Sequence, residues 1–373
     1  MSIASRIQCY QKIEQLRGRP LIVYVTSHRV NANGKMSVDV VPELCDQINA
    51  LPPDCEAVDL FLVSGGGDGM VAWRTISMLR ERGIKISALV PHMAYSAATL
   101  LALGVDEIVM HPFANLGPID PQIDAPKERK NGVQDFVRFG FEDLVGYLDF
   151  VRNRVGLSDQ ENLIQALKLF IDEVGPLPIA IAARGTMLSQ QLGVKLLQTH
   201  ASAGGDERKS QTIVDKLNKE FFTHGYALNR SEAKEIGLNV VNPPPDLEAA
   251  IWECWLEIER DMKARIPFDP LVALAASPQY SLLIQPVPSV RIPTGAPPAV
   301  VNAIWQNVVA TSMASGIQVD YQKIYALTES ARVQRMYAEC GIVNGSFSPQ
   351  QGIVANVVVK RIGWGDSFDE ALP

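Results

Sequence analysis

Cysteine is scarce in this chain, and what there is lies scattered. Five thiols, Cys9, Cys45, Cys55, Cys254 and Cys340, include no CxxC pair and are odd in number. That usage points to reduced, partly buried thiols in a cytoplasmic protein rather than a disulfide framework. Long apolar runs are also missing. The first 20 residues contain no run that would serve as a secretory signal. No stretch approaches the roughly 18 uninterrupted apolar residues of a membrane span. An excess of positive charge is missing as well: 34 Lys and Arg stand against 41 Asp and Glu, a net charge of −7. Nucleic acid and anionic membranes both ask for the opposite balance, so neither is expected as a partner. Glycine (27) and proline (24) are near average, which sets aside collagen-like and low-complexity classes.

What is present is an ordinary globular composition over 373 residues, enough for two or three structural units. Residues 21–28 (LIVYVTSH) form a short apolar, β-branched run that predicts a buried strand. Over 38–51, Val41, Leu44, Cys45, Ile48 and Leu51 share a helix face, and Pro52-Pro53 ends it. A second strand is predicted at 57–63, a helix over 70–82, a third strand at 85–90, a short helix over 96–103 and a fourth strand at 107–110. This alternation predicts βαβ units and a parallel sheet covered on both faces. Helices follow over 141–156, 161–173, 212–222 and 230–236, and 201–210 reads as a loop. Ile251, Trp255, Ile258 and Met262 form a helical stripe that predicts a docking face for the core. Five prolines within 286–298 predict a stiff connector. Beyond it the pattern predicts helices at 300–313 and 321–337 and a strand at 352–362. No internal repeat is visible.

Two segments carry chemistry. Ser64-Gly65-Gly66-Gly67-Asp68-Gly69 sits at the carboxyl end of a predicted strand and opens a helix, where open α/β sheets bind ligands. A phosphate loop would need a following Lys-Ser/Thr pair, and a dinucleotide fingerprint would need Gly or Ala where Met70 stands, so both readings fail. Consecutive glycines also expose backbone N–H groups, and two of these aimed at one point stabilise an oxyanion. The second segment, PHMAYSAATL (91–100), puts Ser96 at or just before the N-terminus of a helix of small residues.

GGGDG (65–69), PHMAYSAATLLALGVDEIVM (91–110) and LGPIDPQI (116–123) together resemble the serine dehydrogenase proteinase family, which is of the signal peptide peptidase A type. PLPIAIAARG (176–185) and FFTHGYALNRSEAKEIGL (221–238) agree with it, and the resemblance spans about 20–262. It implies an α/β fold with a Clp protease/crotonase-like parallel-sheet spiral core and a C-terminal α+β extension. The expected organisation is a peptidase core over 1–264, a proline-rich connector over 265–298 and an extension of unassigned role over 299–373.

Carried over residue by residue, Ser96 is the nucleophile of acyl transfer, and Gly66, Gly67 and Ala97 supply the oxyanion donors. The base departs from the family. The family's lysine position falls on Asp149, and no lysine occurs between Lys130 and Lys168. Asp120 lies near the site in either a lysine or a histidine scheme, although an Asp before Pro121 also suits a turn. Lys130, ahead of Lys127 in the charged stretch APKERKNG, is the lysine candidate, and that stretch reads otherwise as a solvated loop. His92 and His224 stay open, while His111 reads as structural. The expectation is a cytoplasmic serine endopeptidase acting on unfolded or extended protein segments, a homo-oligomer, with no cofactor and no metal. A catalytically silent assembly or adaptor module and a crotonase-like acyl-coenzyme A enzyme are the alternatives.

Overall fold

The computed structural model describes residues 3–128, 134–200, 206–219, 223–284, 290–312, 316–348 and 351–367. Helix α1 (Ile3–Arg17) leads into β1 (Leu21–Thr26), whose six side chains are all buried. A two-residue pair, β2 (His28–Arg29) and β3 (Ala32–Asn33), precedes α2 (Val41–Asn49). Then β4 (Ala57–Val63), α3 (Gly69–Glu81), β5 (Lys85–Val90), β6 (Met93–Ala94), α4 (Ala97–Leu103), β7 (Glu107–Met110) and β8 (Asn115–Leu116) follow. These elements match the alternation read from the sequence. The second half runs through β9 (Gln122–Glu128), β10 (Gln134–Gly140), α5 (Phe141–Asp149), α6 (Gln160–Val174), α7 (Pro176–Leu197), α8 (Glu207–Lys219), α9 (Arg230–Glu235), β11 (Val240–Val241) and α10 (Pro245–Asp261). The chain closes with α11 (Pro270–Ala275), α12 (Pro298–Ser312), β12 (Ile317–Glu329), β13 (Gln334–Ser348) and β14 (Gly352–Asp366).

One eight-stranded sheet organises the molecule, in the order β11-β7-β5-β4-β1-β12-β13-β14. The five strands from β11 to β1 are parallel, and the last three join antiparallel. Side chains alternate across it. Ile22, Tyr24, Leu60, Leu62, Ile86 and Ala88 face a layer built from α2, α3, α4, α7 and α8. Leu21, Val23, Val25, Phe61, Val63 and Leu89 face α1 and α10. The expected stripe Ile251, Trp255, Ile258 and Met262 is fully buried there, each side chain worth roughly 1.5–3 kcal/mol of apolar burial.

A second, smaller ladder forms just beyond the carboxyl ends of the strands. Met36 bridges Gly67, Ser64 bridges Ala94, β6 pairs with β8, and Leu116 bridges Leu228. Each turn of the core is thus a sheet strand, a short step in this ladder and then a helix, repeated as a spiral. The fold is α/β with a large, mostly parallel sheet and strands in its C-terminal extension.

Several expectations need correction. Residues 321–337 are not a helix: they fall in β12 and β13, joined by a turn at 330–333. Their apolar spacing fits either period, and antiparallel pairing of β12 with β1, Val23 opposite Glu329 through Thr26 opposite Ala326, decides it. Helix formation in the 201–210 segment starts at Glu207, with 201–205 outside the described residues. The charged stretch holding Lys127 ends strand β9 of a hairpin with β10. Helix α5 ends at Asp149 and passes into a π-turn over Phe150–Arg154. The connector begins as α11 and a 3-10 turn (Pro278–Ile284), whose Leu274 and Leu283 pack on β12 and β13.

Candidate active site

Ser96 is the N-cap of α4, with φ +52° and ψ −117°. A non-glycine residue rarely adopts this backbone, and it persists only where the surroundings over-determine it. Here they do. Ladder bonds hold the residues before it, Ser64 N–H to Met93 O at 3.0 Å and Tyr95 N–H to Ser64 O at 2.9 Å. Behind it, the Thr99 hydroxyl donates to Ala94 O at 2.7 Å and accepts from Gly117 N–H at 3.2 Å. The Ser96 hydroxyl makes no capping bond.

The glycine turn lies directly against this serine. A Cβ on Gly66, whose φ is +100°, would stand 2.7 Å from Ser96 Cβ and from Tyr95 O. One on Gly67, φ +147°, would stand 2.2 Å from Met36 O. Only glycine fits at either position. Gly66 N–H donates to Ser64 Oγ at 3.1 Å, and Ser64 Oγ lies 2.7 Å from Thr26 Oγ1. Met36 is paired through Gly66 O and Asp68 N–H, so the N–H of Gly67 is left off that ladder. Ala97 N–H is one of the first donors of α4, which have no partner within a helix.

Ser96, Ala97 and the glycine turn line a cleft of about 930 Å³. Leu100, Ile119, Leu188 and Leu192 make one part of its wall apolar. Its charged and imidazole groups are His28, Lys35, Asp68, Asp124, Arg138 and His224. Asp124 and Arg138 pair at 2.8 Å across the hairpin, which lowers the Asp124 pKa. His28 makes tilted ring contacts with His92 and Trp255, which stack on each other, and burial lowers the pKa of both histidines. Tyr95 is pushed up by burial.

Asp120 does not line the cleft. It is buried, its backbone neighbour Ile119 fixed by Ile119 N–H to Leu217 O (3.1 Å) and by the Ser189 hydroxyl to Ile119 O (2.6 Å). One carboxylate oxygen accepts from Gln122 Nε2 at 3.0 Å, and the other faces His224 Nδ1 at 2.9 Å. His224 comes within reach because Leu228 pairs with Leu116 in the ladder just after it. Lys130 lies outside the described residues. Lys127 is ion-paired to Glu173 of α6. Neither Lys127 nor Asp149 lines the cleft. His111 is buried and stacked on Trp252 at 4.8 Å, as a structural residue would be. Reading the sequence missed Lys35, which is the only lysine lining the cleft among the described residues. No trio of His, Cys, Asp or Glu able to hold a metal occurs among the described residues.

Residues 2–128 match the family model of the ClpP-like SDH-type serine proteinases. The match bears out the resemblance read from the sequence and supports a serine peptidase in general terms. Two curated relatives, both uncharacterized proteins of Methanocaldococcus jannaschii, extend further along the chain. MJ1495 is 26% identical over 64% of this chain and 72% of its own length. MJ0137 is 24% identical over 71% and 83% respectively. Among solved structures, the 1510-N membrane-bound stomatin-specific protease is similar with a TM-score of 0.33 at 17% identity, over 62% of this chain and 84% of that one. ClpP1 from Listeria monocytogenes is similar with a TM-score of 0.32 at 12% identity, over 64% and 98%. No helix among the described residues is long and apolar enough to cross a membrane.

Proposed function

We propose that this chain is a serine endopeptidase that cleaves extended or unfolded protein segments through an acyl-enzyme on Ser96. The observation that carries this reading is Ser96 itself, held at positive φ at the start of α4 and in contact with Gly66. The hydroxyl oxygen attacks the peptide carbonyl carbon, and the carbonyl electron pair moves onto its oxygen. Ala97 N–H and an N–H of the Gly66–Gly67 turn stabilise that oxyanion, a contribution of about 3–4 kcal/mol per donor in comparable sites. Collapse breaks the C–N bond and releases the amine. Water then attacks the ester, releases the carboxylic acid and restores Ser96.

The cleft accepts a chain in extended form, with its apolar wall at Leu188 and Leu192 available to a substrate side chain. All five cysteines are free thiols, which suits a reducing compartment, and we place the enzyme in the cytoplasm. We further infer a homo-oligomer. Exposed Ile164 and Leu169 on α6 and Leu177 and Met187 on α7 supply apolar surface for it.

The test is covalent labelling of the full chain by a fluorophosphonate, alongside digestion of an unfolded fluorescent casein. The wild type should label and digest, and Ser96→Ala should do neither. A correctly folded wild type that resists labelling overturns the reading.

A further inference from the structure

A second cavity, of about 290 Å³, lies apart from the serine cleft and shares two helices with it. Helix α4 is capped by Ser96 at one end and reaches the cavity with Leu103 at the other, seven residues or about 10 Å further on. Helix α7 gives Leu188 and Leu192 to the cleft and Leu197 to the cavity. Ile108 of β7, Ile213 of α8 and Leu238 extend this apolar wall. Four polar side chains interrupt it, His200, Lys209, Ser210 and Asn239, and they differ in what holds them. Asn239 Nδ2 donates to Asp106 O at 2.7 Å. His200 Nε2 lies 3.0 Å from Leu103 O, and a carbonyl can only accept, so that nitrogen carries the proton. Burial lowers the His200 pKa, so the ring adds no charge at neutral pH.

The other two stand on consecutive positions of α8. Ser210 is 1% exposed, and its hydroxyl has no hydrogen-bond partner among the described residues. A hydroxyl withdrawn from water is normally paired, and this one stands in a cavity wall. Lys209 lays its stem against Gly237, where an added Cβ would stand 3.5 Å from Lys209 Cε. Its amine has no ion pair among the described residues, and no Asp or Glu lines the cavity beside it. The acids nearby are committed. Asp106 pairs with Arg80 at 2.8 Å, and Asp206 caps α8, accepting from the N–H groups of Arg208 and Lys209 at 3.0 and 3.2 Å. We propose that this cavity binds a monocarboxylate with an apolar chain of about eight carbons, a medium-chain fatty acid. The Lys209 ammonium and the Ser210 hydroxyl donate to its carboxylate, and the apolar wall takes its chain. At about 30 Å³ per water-sized group the volume holds roughly ten heavy atoms, the size of octanoate. The site uses no residue of the serine cleft and does not depend on the Ser96 reading.

The experiment titrates the full chain with sodium octanoate and follows the heat of binding and the methyl NMR resonances. Wild type should bind one octanoate per chain with a Kd below about 1 mM, which ten heavy atoms allow. The methyl groups of Leu103, Leu197, Ile213 and Leu238 should shift, and those of Leu188 and Leu192 in the serine cleft should not. Lys209→Gln and Ser210→Ala should each weaken binding about tenfold, because each loses a hydrogen bond to a charged group. Octan-1-ol, the same chain without the charge, should bind wild type about tenfold more weakly than octanoate and bind Lys209→Gln as well as wild type. Ser96→Ala should bind octanoate as wild type does, so a failed serine nucleophile and a failed carboxylate site are told apart. No binding of octanoate up to about 10 mM overturns the proposal. Shifts centred on Leu188 and Leu192 overturn it too, since they place the ligand in the serine cleft. So does binding to Lys209→Gln or Ser210→Ala within about twofold of wild type. Should Ser210→Ala fold poorly, Lys209→Gln decides, because Lys209 is exposed and its replacement leaves the core intact.

Discussion

At the scale of single residues, the site stores strain at its nucleophile. Ser96 holds φ +52° where glycine would rest without penalty, a cost of order 1–3 kcal/mol. Ser96→Gly should therefore raise the stability of the folded chain by about 1 kcal/mol net, after the added freedom of glycine in the unfolded state is subtracted. Ser96→Ala, which keeps a Cβ, should stay close to wild type. Urea denaturation of the three proteins checks this, and a Ser96→Gly variant no more stable than Ser96→Ala would remove the strain argument. Ser96 and its glycine turn were legible in the sequence because each is a local pattern at a strand end. The pairing of His224 with Asp120 was not, since 104 residues separate them and neither flank announces the other. Lys35 escaped notice for a similar reason: it stands in a plain polar loop that only the spiral carries to the cleft.

At the scale of elements, the sheet strands from β1 to β7 could be read from short apolar runs bounded by turns. Helix α1 could not. Its buried stripe is Arg6, Tyr10 and Ile13, so two of its three inward residues are polar at the tip. Those tips find a partner in β12. Arg6 donates to both oxygens of Glu329, at 3.0 and 2.8 Å, Tyr10 donates at 2.6 Å, and the Ser367 hydroxyl donates at 2.6 Å. Arg6 also pairs with Asp261 at the end of α10, and its carboxylate partners hold the guanidinium pKa above its usual value despite burial. Removing one partner strands the other charge away from water. Arg6→Met should cost about 3–5 kcal/mol, and adding Glu329→Met should restore much of it. A double-mutant cycle in urea measures the coupling, and additive effects would show that the pair does not act as a unit. The strand character of 321–337 was hidden by the same partner, since its apolar spacing alone permits a helix.

At the scale of the whole molecule, length marked the last hundred residues as surplus to the recognised core without showing where they go. They extend the sheet from the open side of β1, opposite β4. A pairing between residues some 300 positions apart leaves no local trace in composition or period. Apolar side chains on α6 and α7 face outward, with Leu169 67% and Leu177 66% exposed. Light scattering should therefore give a mass that is a multiple of 40.8 kDa, and Leu169→Glu with Leu177→Glu should return it to 40.8 kDa. A wild-type mass of one chain would refute self-association through this face.

The tie between Arg6 and Glu329 also sets a timetable. The two are 323 residues apart, and one edge of β1 stays unpaired until β12 exists. At roughly 5–20 residues per second, a ribosome needs about 15–65 s to travel from one to the other. For that interval the nascent chain carries an open strand, and the arginine on its first helix lacks its Glu329 partner. The final fifth of the polypeptide is what ends the wait, so a ribosome that stalls late would release a chain complete in its serine cleft and unfinished in its sheet.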